Sequence, residues 1–249
     1  ILSHDLLEGC YARSGLISDI QLYEDYPARY SGDVNRRRRW IRGDWQIAAW
    51  LRRPVPSVTG RRQKNPLSWL SQWKIFDNLR RSLVPPALVV LLLMGWGVLA
   101  PAWWWTAATL CVLLVPPLIA TLIDVLQKPD EVRLAQHLVF VSRNAARHGL
   151  QVLFSIACLP HEALYSAGAV LRTLRRIVFT RRRLLEWTPS AAHDRGDPRT
   201  FAAMLRSMWV APAIAIGVTA YIQSTHPAAL AVAAPILLLW LAWPAFAWW

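Results

Sequence analysis

Residues 83–123, LVPPALVVLLLMGWGVLAPAWWWTAATLCVLLVPPLIATLI, run for about forty positions without a charged side chain. A helix needs about 20 apolar residues to cross the hydrocarbon core of a bilayer. This stretch therefore holds two crossings, turning near Ala100-Pro101. Trp103, Trp104 and Trp105 follow the turn, where indole rings favour the membrane interface. A second apolar run goes from about Met208 to the end of the chain. It is broken at Gln223-Ser224-Thr225-His226-Pro227, and its far part carries Trp240, Trp243, Trp248 and Trp249. The pattern predicts a mainly α membrane protein with about four transmembrane helices, in hairpins over 83–124 and 207–249.

Charge placement orients these spans. The 249 residues are 55% hydrophobic, yet they carry a formal net charge of +13. Such a pairing is unusual in a soluble domain and ordinary in a membrane protein with basic cytoplasmic loops. A basic soluble protein can instead bind nucleic acid, but the uninterrupted apolar runs argue against that partner. Lys and Arg are dense in 36–81 and 128–206 and absent from the two turns. The positive-inside bias thus places the first segment and the middle loop in the cytoplasm and the turns outside. Ile1 in place of Met, and an apolar run at the other end, read as a piece of a longer protein. Cys10, Cys111 and Cys158 are scattered and give neither a disulfide framework nor a metal-ligand spacing.

Residues 1–60 are polar and basic. Leu6, Leu7, Cys10 and Tyr11 share a face at helical spacing, predicting a helix from Asp5 to about Ser14 with Ser3 as its N-cap. Tyr26-Pro27 and Ser31-Gly32-Asp33 mark loop. A second helix is expected from Asp33 to about Leu51, ended by Pro54 and Pro56. Asn65-Pro66 reads as a helix start, after which Leu67, Leu70, Trp73, Phe76 and Leu79 recur among Lys74, Asp77 and Arg80. An amphipathic helix of that composition, within 61–82, is expected to lie along a membrane surface. The segment 125–206 is basic, with an apolar stretch Leu150–Leu171 interrupted by Pro160-His161-Glu162. A charged pair inside a span is costly, so interfacial helices are expected there, with a fifth or re-entrant segment as the alternative.

Two short motifs carry chemistry. Ser3-His4-Asp5 opens the first helix, and Arg36-Arg37-Arg38-Arg39-Trp40 opens the run Trp40-Ile41-Arg42-Gly43-Asp44-Trp45-Gln46. Taken alone, Asp5 in a first helical turn is favourable helix-end electrostatics. A lone arginine run before membrane spans enforces orientation and attracts anionic lipid, which suffices for Arg37 and Arg38. Arginine forks also suit phosphate oxygens, and an indole face suits the apolar face of a sugar ring. No Gly-rich phosphate loop, Asp-x-Asp pair or zinc-ligand cluster occurs in the chain.

The tripeptide followed by Arg-x-x-Arg-Trp resembles the catalytic edge of processive membrane glycosyltransferases of the cellulose- and hyaluronan-synthase kind, where the equivalents are Thr-Glu-Asp and Gln-x-x-Arg-Trp. A closer resemblance covers nearly the whole chain. Ser3-His4-Asp5-Leu6-Leu7-Glu8-Gly9, Leu22-Tyr23-Glu24-Asp25-Tyr26-Pro27, Trp40–Gln46 and Trp73–Leu83 are similar to the cyclic β-1,2-glucan synthases.

That resemblance implies the C-terminal helical edge of a GT-A-like transferase domain followed by membrane helices. It implies an inverting enzyme that takes UDP-glucose and a glucan acceptor at a bacterial inner membrane, with its catalytic side cytoplasmic. By resemblance Asp5 is the general base, Arg36 and Arg39 meet the diphosphate, and Trp40 stacks the acceptor sugar. His4 in place of Glu, and Arg36 in place of Gln, depart from the wider pattern and leave those two contacts open. A divalent cation, Mg or Mn, is implied, with its ligands and those of the nucleotide preceding Ile1. The fragment alone would then be inactive. Glu8, Glu24, Asp25 and Asp44 are secondary candidates, Asp44 as an orienter of a motif arginine. His161 and Glu162 suit a polar pair on an interfacial helix equally well. Two other functions compete: a synthase of a linear glucan secreted through its own helices, and a polybasic membrane anchor or scaffold without activity. Oligomeric state has no signature in the sequence.

Overall fold

The computed structural model describes residues 4–12, 14–15, 17–23, 29–56, 61–184 and 201–248. These fall into two units, Ile1–Pro85 with Ala163–Arg199, and Pro86–Glu162 with Thr200–Trp249.

The first unit opens with α1, Asp5–Tyr11, and α2, Tyr30–Gln46. A 3-10 turn, Ala48–Leu51, follows, and then a two-stranded antiparallel ribbon, β1 Pro54–Pro56 on β2 Arg62–Lys64. α3, Trp69–Gly97, and α5, Leu134–Arg175, each give residues to both units. Two apolar clusters hold this unit. Val34 and Ile41 of α2 pack on Tyr165, Ala169 and Val170 of α5. Leu6, Leu7 and Cys10 of α1 pack on Ile47, Leu67 and Ile75. Of the face read from the α1 sequence, Leu6, Leu7 and Cys10 are half-buried, while Tyr11 is exposed with its ring 5.9 Å from that of Trp50.

Several boundaries differ from expectation, each for a local reason. The N-cap of α1 is His4, and Ser3 lies outside the described residues, as do Glu24, Asp25 and the Tyr26-Pro27 loop. α2 begins at Tyr30, so Ser31-Gly32-Asp33 is its first turn rather than loop. The Pro54 and Pro56 region forms a ribbon edge, a place open to proline because it lacks only a donor. α3 starts at Trp69, not Asn65-Pro66. Asn65 Oδ1 instead accepts the Leu67 N–H at 3.0 Å in a turn, and Ser68 Oγ accepts the Ser71 N–H at 3.1 Å.

The second unit holds the end of α3, α4 Ala102–Leu126, most of α5, α6 Phe201–Met208, α7 Val210–Thr225 and α8 Pro227–Trp248. α3, α4 and α8 are long and apolar enough to cross a membrane. The turn at Ala100-Pro101 is where the sequence puts it, and α8 begins on Pro227. α7 has 16 residues, ~24 Å at 1.5 Å per residue, against the ~30 Å hydrocarbon core. Among the described residues α7 is thus the shorter apolar helix of the hairpin expected over 207–249, beside three that are long enough to cross. Pro212 accounts for the shortfall: it cannot donate to the Met208 carbonyl four residues back, and the helix breaks between Met208 and Val210.

α8 packs against α7, α6 and α4. Ala211 and Ala215 of α7, and Ala229 and Ala233 of α8, are buried, small residues one turn apart that let helix backbones approach. At Gly95 an added Cβ would collide with Trp105 Cβ, so that position admits only glycine. Trp105 is thereby packed inward, while Trp103 and Trp104 are exposed. Trp96 Nε1 donates to Thr106 Oγ1 at 2.8 Å and its ring lies 5.7 Å from that of Trp240.

α5 is one helix of 42 residues that passes through Pro160. Proline there removes the hydrogen bond to the Ile156 carbonyl. Trp240 replaces it, its indole N–H donating to Ile156 O at 2.9 Å from a fully buried ring. An orphaned carbonyl in an apolar surrounding would cost more than one in water, so the α8 indole is what allows α5 to continue.

Candidate functional site

The Arg-x-x-Arg-Trp run lies in the middle of α2. Residues three and four apart are neighbours on a helix, and Asp33 uses both spacings. Its buried carboxylate receives Arg36 Nη2 on Oδ1 at 2.9 Å and Arg37 Nε on Oδ2 at 2.7 Å. Arg36, so held, places its guanidinium carbon 4.8 Å from the centroid of the Trp40 ring. Trp40 is 53% exposed. α2 therefore presents an open indole with a cation set against it, a pairing worth about 0.5–1 kcal/mol at exposed sites. Arg39 is half-buried. Arg38 leans over the Tyr165 ring of α5 at 5.6 Å. Burial holds its guanidinium below the usual arginine value, Arg172 lowers it further, and Tyr165 and Tyr30 oppose the shift.

The tripeptide docks on the same helix. His4 Nε2 lies 3.3 Å from Asp44 Oδ1, with both side chains largely buried. The same Oδ1 accepts from Asn78 Nδ2 of α3 at 3.0 Å. Among the described residues His4 Nδ1 is buried without a hydrogen-bond partner. Gly43 makes the approach possible, since a Cβ there would stand 3.1 Å from His4 Cδ2 and 3.3 Å from Nε2. Trp45 Nε1 adds a bond to Ser82 Oγ of α3 at 3.0 Å. One carboxylate thus joins α1, α2 and α3 at a single point.

Asp5 follows His4 directly. Its side chain is exposed, in the first turn of α1, where backbone N–H groups favour a negative charge. It makes no hydrogen bond or ion pair among the described residues, which leaves both oxygens open to a ligand. Glu8 reaches back to the His4 N–H through Oε1 at 3.2 Å and steadies the turn that carries Asp5.

The arrangement brings Arg36 to Trp40 and His4 to Gly43-Asp44; it puts no hydrogen bond between Asp5 and the motif. Asp44, a secondary candidate for orienting a motif arginine, holds His4 and Asn78, and Asp33 orients Arg36 and Arg37. The sequence carried a signal for Asp33 in its spacing to the two arginines. It carried none for Asn78, 34 residues from its partner. His161 is buried and Glu162 half-buried in α5, in the other unit. Among the described residues no three His, Cys, Asp or Glu side chains converge where a metal ion would sit. These residues do not fit a cation site, and no chemical step here passes through one.

No protein-family model matches the chain. The chain is 35% identical over 250 residues to the cyclic beta-(1,2)-glucan synthase NdvB of Rhizobium meliloti (strain 1021). The match takes in 100% of this chain and 8% of that relative. The resemblance carried by the short motifs therefore extends over all of this chain, which spans a small part of the relative's length.

Proposed function

We propose that this chain is the edge of the transferase domain, with the membrane helices that follow, of an inverting glucosyltransferase that polymerises glucose from UDP-glucose into cyclic β-1,2-glucan. The observation that carries the reading is the match to a cyclic glucan synthase along the entire chain. The geometry supports it. In the proposed step Asp5 takes the proton of an acceptor hydroxyl, the hydroxyl oxygen bonds to the anomeric carbon, and the bond from that carbon to the diphosphate breaks. UDP leaves with the electron pair, and Arg36 and Arg39 offset the charge that develops on it. Trp40 carries the acceptor ring on its open indole face. His4, Asp44 and Gly43 fix the distance between the base on α1 and the cations on α2. Their contact favours this reading over a polybasic anchor, which needs charge alone and no fixed register. The reading also places the site on the cytoplasmic side of a bacterial inner membrane, with a divalent cation held by residues outside this chain.

Trp40→Ala in the full-length parent tests the acceptor platform. Stacking a sugar ring that covers roughly 60 Å² of apolar surface is worth about 1.5 kcal/mol, or about tenfold. Incorporation of labelled glucose by membranes is expected to fall by that factor, through a weaker acceptor term. Trp69→Ala, which removes a more exposed indole on α3, is expected to leave it unchanged. Equal loss in both would remove Trp40 from the site.

Gly43→Ala separates register from stability. Alanine favours a helix over glycine by about 0.5–1 kcal/mol, so α2 itself is not weakened. The new methyl group displaces the His4 ring and loosens its hold on Asp44. Severalfold slower synthesis at undiminished protein level is the expected result; an unchanged rate would show that His4 does not position Asp5.

A further inference from the structure

Arg172, Arg175, Arg176, Arg181, Arg182 and Arg183 lie between Ala163 and Leu184, a stretch of sequence that holds no Asp or Glu. A π-helical turn, Arg176–Thr180, continues α5. Arg181 and Arg183 then take left-handed backbone, at φ 48° and 55°, a conformation few residues other than glycine adopt. The Arg181 N–H donates to the Arg176 carbonyl at 2.7 Å, and Arg176 Nη1 donates to the Arg183 carbonyl at 2.8 Å. The chain is thereby closed into a tight loop, with Arg181, Arg182 and Arg183 exposed. At its tip Val178 and Phe179 are 60% and 80% exposed.

Hydrogen bonds tie this loop to the start of the apolar part of α3. Gln46 Nε2, at the end of α2, donates to the Leu184 carbonyl at 2.9 Å. Its neighbour Trp45 donates through Nε1 to Ser82 Oγ at 3.0 Å. Ser82 directly precedes the uncharged run that begins at Leu83. Leu184 is thus joined, through two adjacent side chains of α2, to the place where a crossing α3 passes from polar surroundings into hydrocarbon.

We propose that the loop from Arg175 to Leu184 docks on an anionic bilayer surface, with Val178 and Phe179 entering the acyl boundary and the arginines meeting lipid phosphates. Each basic group near an anionic surface strengthens binding by about fivefold, and guanidinium forks match phosphate oxygens. Apolar side chains beside such groups sink into the boundary between headgroups and acyl chains. A soluble anion would satisfy the charge and leave Phe179 in water; a bilayer at this level takes both. The docking stands whether or not the chain serves a glucan synthase.

The full-length parent in nanodiscs of phosphatidylcholine, with or without phosphatidylglycerol, provides the test, read as amide exchange across Arg175–Leu184. Phosphatidylglycerol is expected to slow exchange about tenfold, and about 0.5 M NaCl to reverse the slowing. Arg181→Gln/Arg182→Gln/Arg183→Gln abolishes the response. Arg52→Gln/Arg53→Gln/Arg61→Gln, which removes equal charge from other exposed positions, keeps it. If the first triple variant does not accumulate, Phe179→benzoylphenylalanine, at an exposed side chain, is photolysed in the phosphatidylglycerol discs, and an adduct with the mass of a lipid is expected. Capture of a protein segment instead overturns the proposal. So do equal exchange of wild type in the two kinds of disc, an undiminished response in the first triple variant, and equal slowing by sodium pyrophosphate in maltoside detergent, which would identify a soluble anion.

Discussion

Asp5→Asn in the full-length parent lowers glucan synthesis from UDP-glucose by roughly 10²–10⁴-fold, the range that a positioned general base supplies. The KM for UDP-glucose is expected to stay near its wild-type value, because the proposed base acts on the acceptor and not on the donor. Asparagine keeps the size of the side chain, and the α1 face that packs on Ile47, Leu67 and Ile75 is untouched. What α1 loses is a charge at its N-terminus, about 0.3–1 kcal/mol at an exposed position. A stability effect that small cannot produce the rate loss. The two roles open to this residue, helix-end electrostatics and catalysis, thus differ by orders of magnitude in one assay. Kinetics of membranes at matched protein level check it. Undiminished synthesis would return Asp5 to helix-end electrostatics.

The second large effect is structural. Trp240 is fully buried, stacks near Trp96, and supplies the hydrogen-bond donor that Pro160 denies to Ile156. Trp240→Ala removes a large core side chain and the donor together, a change that costs about 3–5 kcal/mol. Trp240→Phe keeps most of the ring and removes only the N–H, leaving a buried carbonyl unpaired at about 1–3 kcal/mol. Amide exchange along α5 around Ile156 should therefore speed up by roughly 10²–10³-fold in Trp240→Ala and about tenfold in Trp240→Phe. If Trp240→Phe matched wild type, the account of how α5 passes through proline would fail.

These two predictions also mark what the sequence could and could not convey. The uncharged run 83–123, the turn at Ala100-Pro101 and the face of Leu6, Leu7 and Cys10 were legible because each is a local pattern. Hydropathy and a period near 3.6 settle such things without reference to any other element. The continuity of α5 was not legible. Pro160-His161-Glu162 carries local signs of a break, and what prevents one is an indole 84 residues from the Ile156 carbonyl to which it donates. The apolar run from about Met208 to the break at 223–227 was legible as α7, while the break between Met208 and Val210 follows from one missing donor at Pro212.

The candidate site divides in the same way. The residue types at Asp5, Arg36, Arg39 and Trp40 point to an anionic donor and a sugar acceptor, and the Asp33 spacing to Arg36 and Arg37 is a local signal. The contacts of Asp44 are not local. His4 and Asn78 reach it from elements on either side of α2 in the sequence, and no periodicity predicts that pairing. Gly43 in α2 has the look of a weak helix position until the His4 ring is placed against it.

The most direct test of the central claim is the product itself. Membranes carrying the full-length parent are given radiolabelled UDP-glucose, and the linkage and ring closure of the polymer are determined by methylation analysis and mass spectrometry. The account predicts a cyclic glucan of β-1,2 linkage. A linear polymer would contradict it in favour of a secreting synthase, and no incorporation at all would leave these helices as a membrane anchor.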